Sequence, residues 1–584
     1  LKAVLDHTGV RVLVFGAMCA VDKSEPLLGG PAPARRQRYH WVRHVALFFI
    51  LAALVGGIVM HLRQFRFSSE EPSSRIDSAV KNYGTVSLVQ TAKSKSEQTH
   101  ERWVRKPDLA WVADFKSPSI PVIALDDETF DQKLLGFGGA FTETSATVFY
   151  KLPKAMQEDI LNKYFSLDGL GYTMGRTHIN SCDFALSSYS FDDVKDDFDL
   201  VHFDTHVQHD VDSGLIPFIK QAQKKINDAG RSLRLLATPW SPPEWMKKSG
   251  EMKGLFKGGP PKDIMDYRDT MDPKYYSVWG KYIAKWVSSY NALDIPIWAI
   301  TVQNEPGYDS AWESNMFTAR MEAEFVGQHL GPAMAASNPE VAIFAYDWDH
   351  PDIHEWAKTM HSHPNASRYV SGMAWHWYRG DLFNFIEKIH LDYPQAMLLP
   401  SEETYEQLMW HPGTKVEYGD WSFGEGYGHD IIGNLNAGAL GWIDWNLILD
   451  PTGGPNKQGN VCDAAMMANT TTSTLFLHPQ YHYIGHFSRY ILPGSRRIKL
   501  KISGTQGPIP YQKSRARGYG KCNADDGLQA TAWQRPDKHI VVVALNCADQ
   551  AVDFKIQNWD RALKAQIPAH GIQTYMFERF PRQP

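Results

Sequence analysis

Cysteine is scarce. Five occur in 584 residues, at Cys19, Cys182, Cys462, Cys522 and Cys547, with no CxxC pair and no metal-ligand spacing. So few thiols in so long a chain exclude a disulfide-built scaffold and leave one or two bridges among the last four open. A surplus of one charge is lacking too: 60 Lys plus Arg against 65 Asp plus Glu leaves −5. Without clustered basic residues the chain offers nothing to neutralise phosphates, so nucleic acid is not an expected partner. Phosphate loops are missing: GLGYTMGR at 169–176 lacks GxGxxG spacing, and no GKT or GKS occurs. A serine nucleophile would want GxSxG, which is absent. The 23 histidines are scattered. His361 with His363, and His478, His482 and His486, come nearest to clusters, but HPQYHYIGHF lacks the acidic base of a zinc-protease motif. No metal and no cofactor is expected, and no tandem repeat of fixed period is present.

Long apolar runs are almost absent. One stands out, Val45 to Met60, sixteen residues without a charge. Arg35, Arg36, Arg38 and Arg43 precede it, and Arg63, Arg66, Glu70 and Glu71 follow. A span usually needs about 20 apolar residues, although 17 can suffice. Because positive flanks resist translocation, 1–44 reads as a cytosolic tail and 45–62 as a transmembrane signal anchor. A cleaved signal peptide is the rival, without a clear A-x-A site. Residues 63–100, rich in Ser, Glu and Lys, read as a stem. The expectation is a single-pass membrane protein. Its body would be luminal or extracellular, in the endomembrane system, lysosome or vacuole, or at the cell surface. The sequons Asn365-Ala366-Ser367 and Asn469-Thr470-Thr471 suit glycosylation of such a body.

What is abundant is ring and core. Hydrophobic residues make up 43% and charged residues 21%, an ordinary globular balance. The 19 Trp, 25 Tyr and 28 Phe fill a large core and also suit sites for the flat faces of sugars. From residue 136 short apolar runs alternate with helical stretches: Gly136–Ala140, Gly171–Ile179, Leu233–Thr238, Ile297–Val302, Val341–Ala345, Gly372–Trp375, Ala396–Leu399 and Ala439–Ile443. Between them Trp279, Ile283, Trp286, Val287 and Tyr290 recur at helical spacing. Strands alternating with helices imply parallel pairing, and eight such units suit a (β/α)8 barrel. After residue 490 the texture becomes short and β-rich, as in LQATAWQR and HIVVVALNC. The fold class is therefore α/β: a (β/α)8 TIM barrel with an all-β sandwich domain, preceded by one N-terminal transmembrane helix. The sandwich takes its first strands from 101–135 and the rest from 481–584, and the catalytic barrel spans 136–480.

The runs end in residues a buried strand would not choose: Asn180-Ser181-Cys182-Asp183, Thr238-Pro239-Trp240, Gln303-Asn304-Glu305, Tyr346-Asp347-Trp348, His376-Trp377-Tyr378, Ser401-Glu402-Glu403 and Asp444-Trp445-Asn446. In such barrels the active site sits at the C-terminal mouth of the strands. Glu305 and Glu402 each follow an apolar run directly, and their separation of 402 − 305 = 97 residues places them across the mouth. Facing carboxylates are what glycoside cleavage needs. Trp240, Trp377, Tyr378 and Trp445 supply rings for sugar faces, with at least one expected only to fill the barrel top; Asp183, Asn304 and His376 supply polar groups.

GFGGAFTETSA, INSCDF, TPWSPPEWMK, ITVQNEP, HWY, PSEE, GWIDWNLILDPTGGPN and YIGHFSRYILPGS, in this order from about Trp103 to the C-terminus, resemble glycoside hydrolase family 30, and within it the glucosylceramidase branch. The resemblance implies a retaining β-glucosidase that cleaves glucosylceramide to glucose and ceramide by double displacement. It implies Glu305 as acid/base and Glu402 as nucleophile, and a glucose site of Asp183, Trp240, Asn304, Tyr378, Trp445 and Asn460. Arg176 and His376 take supporting positions. Glu403 departs from the pattern, which more often has a small residue there; strand alternation lets only one of Glu402 and Glu403 face the mouth. The resemblance also leaves open an endo-β-1,6-glucanase or other β-glycosidase, or a catalytically silent carbohydrate-binding relative. Expected partners are glucosylceramide or another β-glucoside and, through the anchor, a membrane; an activator protein or anionic lipid stays open.

Overall fold

The computed structural model describes residues 84–96, 99–115, 120–254, 270–349, 351–406, 419–504 and 520–579. Twenty strands follow one another in these residues. Four come first: β1 Thr85–Ala92, β2 Glu101–Ala110, β3 Val112–Ala113 and β4 Val122–Lys133. The barrel strands are β5 Gly136–Phe141, β6 Met174–Ile179, β7 Arg234–Pro239, β8 Ile297–Thr301, β9 Ala342–Trp348, β10 Val370–His376, β11 Met397–Glu402 and β12 Gly441–Asn446. A hairpin of β13 Met466–Asn469 and β14 Thr474–Leu477 precedes β15 Arg496–Ser503, β16 Leu528–Gln534, β17 His539–Asn546, β18 Val552–Asn558, β19 Arg561–Ile567 and β20 Gly571–Glu578.

Each of the eight apolar runs read from the sequence falls on a barrel strand. Such strands are covered on both faces, so they read as near-continuous apolar stretches. Their order is β11-β10-β9-β8-β7-β6-β5-β12. The seam closes where Leu440 N donates to Leu398 O at 2.8 Å and Trp445 N to Glu403 O at 2.9 Å. Met174, Leu236, Ala299, Phe344, Ala374, Leu399 and Ile443, from β6 to β12 in turn, plug the interior.

The sandwich strands run β2-β1-β20-β17-β16-β15-β4-β18-β19-β3. Its core holds Val86, Ile123, Ile498, Val542, Ile556 and Tyr575. β1 lies within the stretch expected as a stem, so that reading is corrected for 85–92. Polar TVSLVQTA still buries Val86 and Leu88 by alternation, and β1 pairs with β20 from Ser87–Met576 to Ala92–Gly571. Cys522 and Cys547 form a disulfide, while Cys182 and Cys462 are free and buried.

The expected transmembrane helix, and with it the single-pass placement and the membrane partner, is corrected. Among the described residues no helix is long and apolar enough to cross a membrane. The longest helices, Tyr276–Ala292 and Trp421–Ala437, have 17 residues each and are embedded in the barrel wall. The segment 45–62 on which that expectation rested lies, with all of 1–83, outside the described residues.

Candidate active site

Side chains alternate along a strand, so the residue two beyond each plug residue shares its inward face. On β6, β7, β8, β10 and β11 that residue is Arg176, Thr238, Thr301, His376 and Ser401, and all five are buried. On β9 alternation would bring Tyr346. Instead Tyr346 and Asp347 adopt left-handed backbone, with φ of 80° and 50°, and Asp347 takes the inward place. Asp347 gathers Arg176 Nη2 at 2.9 Å, Thr301 Oγ1 at 2.8 Å, Ser401 Oγ at 2.5 Å and His376 Nε2 at 3.1 Å.

Glu402 is turned inward by a slip in register. Trp375 pairs with Pro400, but His376 pairs with Glu402, so Ser401 and Glu402 both serve the mouth. Arg176 Nη1 donates to Oε2 of Glu402, and the Tyr378 hydroxyl donates to Oε1 at 2.9 Å. Glu305 sits just past β8 with φ of 46°. Its backbone N–H donates to Asp347 O at 2.9 Å, and its Oε1 lies 3.3 Å from His376 Nδ1. One imidazole thus touches both Glu305 and Asp347. Asn304 Oδ1 accepts from Arg176 Nη2 at 2.9 Å.

These contacts set the charges. Burial works against Asp347 as an anion, but the charge of Arg176 and the His376 and Ser401 donors hold it well below the carboxylate range. Burial likewise disfavours a His376 cation, yet Glu402, Asp347 and Glu305 around it carry its pKa up to about 10. Burial lifts the Glu305 carboxyl above its ordinary value; His376 opposes this, while Glu402 and Asp349 add to it.

The cavity above this floor measures about 260 Å3. Asp183, Trp240, Asn304, Glu305, Tyr378, Glu402, Trp445 and Asn460 all line it. The rings of Trp240 and Trp445 stack at 5.4 Å, with the Arg176 guanidinium 4.7 and 5.3 Å from their centroids. Asn460 Nδ2 donates to Asp183 Oδ2 at 3.1 Å. Asp183 Oδ1 and Asn460 Oδ1 are buried and have no partner among the described residues. Burial and the charge of Glu402 push Asp183 up to about 7. Lys457 Nζ pairs with buried Glu313 at 3.1 Å and ties together the loops after β8 and β12 that carry this wall.

Arg176 and His376 lie beneath the cavity, not on its surface. Trp377 is the ring that fills the barrel top: it packs on Tyr405 and Tyr427 and donates to Thr404 O at 3.0 Å. Glu403 is buried outside the cavity. Asp347 and Glu406 escaped the sequence reading as site residues, as did Tyr308, Trp312, Trp348, Asp349 and Arg379, which line the rest of the cavity. The loop rings follow no strand, and only their clustering within a few residues of Glu305 could have marked Tyr308 and Trp312. Asn365 is exposed; Asn469 ends β13, its Oδ1 accepting from Thr471 and Thr472 N–H at 2.9 and 3.0 Å. His486 bonds Thr574 and Thr91 at 2.8 and 2.9 Å, and His478 bonds Asp463. His429, Cys522 and Asp526 lie within metal-binding reach of one another, but the Cys522 sulfur is committed to its disulfide.

A (β/α)8 barrel joined to a β-sandwich, with two glutamates brought into one small ring-lined cavity at the strand ends, defines a glycoside hydrolase. The chain belongs to glycosyl hydrolase family 30: residues 134–491 match its TIM-barrel domain and residues 494–575 its beta sandwich domain. It is 37% identical over 379 residues to putative glucosylceramidase 4 of Caenorhabditis elegans, covering 64% of this chain and 70% of that one. It is 32% identical over 471 residues to lysosomal acid glucosylceramidase of Mus musculus, covering 78% and 84%. Among solved structures it is similar to SrfJ from Salmonella typhimurium, with a TM-score of 0.72, 27% identity, and coverage of 85% of this chain and 100% of that one.

Proposed function

We propose that this glycosidase is a retaining β-glucosidase that cleaves glucosylceramide to glucose and ceramide. Glu402 is the nucleophile and Glu305 the acid/base. The observation that carries this is the asymmetry of the two carboxyls. Glu402 is gripped on both oxygens by cationic or hydroxyl donors, which fixes its orientation for attack. Glu305 is lifted by burial, which favours a held proton. In the first step Glu402 attacks the anomeric carbon while Glu305 protonates the departing oxygen. In the second, Glu305, now a base, takes a proton from water as that water displaces Glu402. Asp183, Trp240, Trp445 and Asn460 hold the glucose, Asn304 and Arg176 brace the floor, and His376 tunes Glu305.

A cavity of about 260 Å3 is of a size for one terminal sugar, and the relatives named glucosylceramidase support the lipid substrate. A second reading has its own support. Beyond the glucose residues the cavity is lined by Glu406 and by Arg379, whose Nε lies 3.3 Å from Asp349 Oδ2. Polar groups there, beside Tyr308, Trp312 and Trp348, also suit a sugar as leaving group, as in a β-1,6-glucan. Turnover of glucosylceramide, a synthetic β-glucoside and β-1,6-glucan separates the two. For the roles, Glu402→Gln should be inactive even on a dinitrophenyl β-glucoside, whereas Glu305→Gln should still release dinitrophenolate in a first turnover. If both variants fail alike, the assignment is wrong. Glycosylation of Asn365 and Asn469 belongs to the same proposal, and loss of mass on glycan removal tests it.

A further inference from the structure

Glu403 is fully buried, and neither of its carboxyl oxygens has a hydrogen-bond partner among the described residues. It stands next to Glu402 in the chain but faces the other way, into the packing between β11, β12 and the helix Trp421–Ala437. Two further buried carboxyls share that space, and each has its own donors. Asp444 on β12 accepts from Tyr427 Oη at 2.7 Å and Trp445 N at 3.0 Å. Asp430 on the helix accepts from Trp442 Nε1 at 2.8 Å and Asn434 Nδ2 at 3.0 Å. Glu403 has none. Its backbone is tied down, since its carbonyl accepts from Trp445 N at 2.9 Å and Tyr427 Oη at 3.2 Å.

A carboxyl in this setting is tolerated only while neutral, because a buried anion without donors is strongly disfavoured. Burial is the main cause that pushes Glu403 well above the ordinary value, and Asp430, Asp444 and Glu402 add to it. The remaining titratable groups around the cluster do not relieve it. Tyr164, Tyr172 and Asp463 face Asp444, and Asp381 and His429 face Asp430. The cation acting on Glu403 is Arg176, and Arg176 is already shared between Asp347 and Glu402. An ionised Glu403 would therefore either draw Arg176 from Glu402 or shift the end of β11 to reach water. Both unseat Glu402.

We propose that Glu403 is a positioning residue: Glu402 stays seated on Arg176 and Tyr378 only while Glu403 keeps its proton. This rests on the reading of Glu402 as nucleophile. It gives the enzyme a second alkaline cut-off, separate from loss of the Glu305 proton.

The test removes Glu305 from the readout. In Glu305→Gln, a 2-deoxy-2-fluoro-β-glucoside with a dinitrophenolate leaving group traps the nucleophile without acid assistance. Its trapping rate should still fall at high pH, by about tenfold per pH unit as for loss of one proton. In Glu305→Gln/Glu403→Gln that fall should vanish, while trapping at acid pH persists. Glu403→Met, neutral and similar in size, should do the same and serves if the amide misfolds. A fall that persists in the double variants, or no fall in Glu305→Gln, overturns the proposal. Peptide mapping of the trapped sugar separates this from failure of the underlying reading. Sugar on Glu402 with an unchanged fall sinks only the role of Glu403; sugar on Glu403 sinks the assignment of the nucleophile.

Discussion

The Tyr378 hydroxyl donates to Oε1 of Glu402 at 2.9 Å and leaves Oε2 to Arg176. The carboxylate is thus held from two sides, and its orientation does not depend on bound sugar. Tyr378→Phe removes one donor to a charged acceptor, a loss of about 1.5–3 kcal/mol. If that loss falls on the transition state, kcat should drop roughly ten- to hundredfold, at 1.4 kcal/mol per factor of ten. KM should move far less, because the proposed glucose contacts are Asp183, Asn460 and the stacked tryptophans. Steady-state kinetics on an aryl β-glucoside checks the split; a rise in KM at constant kcat would place Tyr378 in binding.

Asp347 is the joint that holds Arg176, His376, Thr301 and Ser401 together, fully buried. Asp347→Asn leaves Arg176 as a half-compensated buried cation, and breaking such a pair costs about 3–5 kcal/mol. A clear fall in Tm is expected at neutral pH. The sign with pH follows from the lowered carboxyl. Its stabilisation is fully present above the unfolded value, near about 4, and is lost as pH falls towards the folded value. Wild type and Asp347→Asn should therefore converge in stability only at strongly acid pH. Equal destabilisation at all pH values would mean that packing, not charge, is lost.

Much of this site was legible before the fold was known, and the gaps have physical causes. Parallel strands buried on both faces announce themselves as apolar runs, so their ends, and with them Glu305 and Glu402, could be found. Asp347 could not be chosen over Tyr346, because alternation favours Tyr346 and only the left-handed pair at the end of β9 reverses it. The choice of Glu402 over Glu403 likewise hangs on the register slip between β10 and β11. Thr85–Ala92 was hidden by polar neighbours, since its partner β20 lies almost five hundred residues away. Glu406 follows a strand by several residues, where strand logic no longer says which way a side chain turns.

His376 places a positive ring beside Glu305 and so pulls its proton affinity down against burial. His376→Asn removes that charge. Glu305 should then keep its proton to higher pH, and the alkaline limb of kcat/KM should move up by about 1 unit or more. The acid-dependent substrate is the one to use, since kcat/KM reports the free enzyme's acid. The rate at the optimum should fall as well, because His376 also braces Asp347. A limb that stays in place, or moves down, would show that the imidazole does not carry charge in the free enzyme.

Glu406 offers a test between the two kinds of leaving group. It lines the cavity, and its backbone forms a lone bridge with Cys462. Burial first, then the charges of Glu305, Glu402, Asp183 and Asp349, push its carboxyl up to about 8. Below that pH it is neutral and both donates and accepts hydrogen bonds; above it, it adds another negative charge to a mouth that already holds several. Glu406→Gln keeps the donor and acceptor and abolishes the titration, so it should match the wild type at acid pH. Glu406→Leu removes the hydrogen bonding. With a natural substrate whose leaving group carries hydroxyl or amide groups, kcat/KM should fall about tenfold, the worth of one ordinary to good hydrogen bond of about 1–1.5 kcal/mol. With an aryl β-glucoside, which offers Glu406 no such group, the change should be small. Measuring glucosylceramide, β-1,6-glucan and the aryl glucoside side by side then shows which natural substrate loses the contact. An equal loss on all three would mean that Glu406 acts on the catalytic glutamates and not on the leaving group.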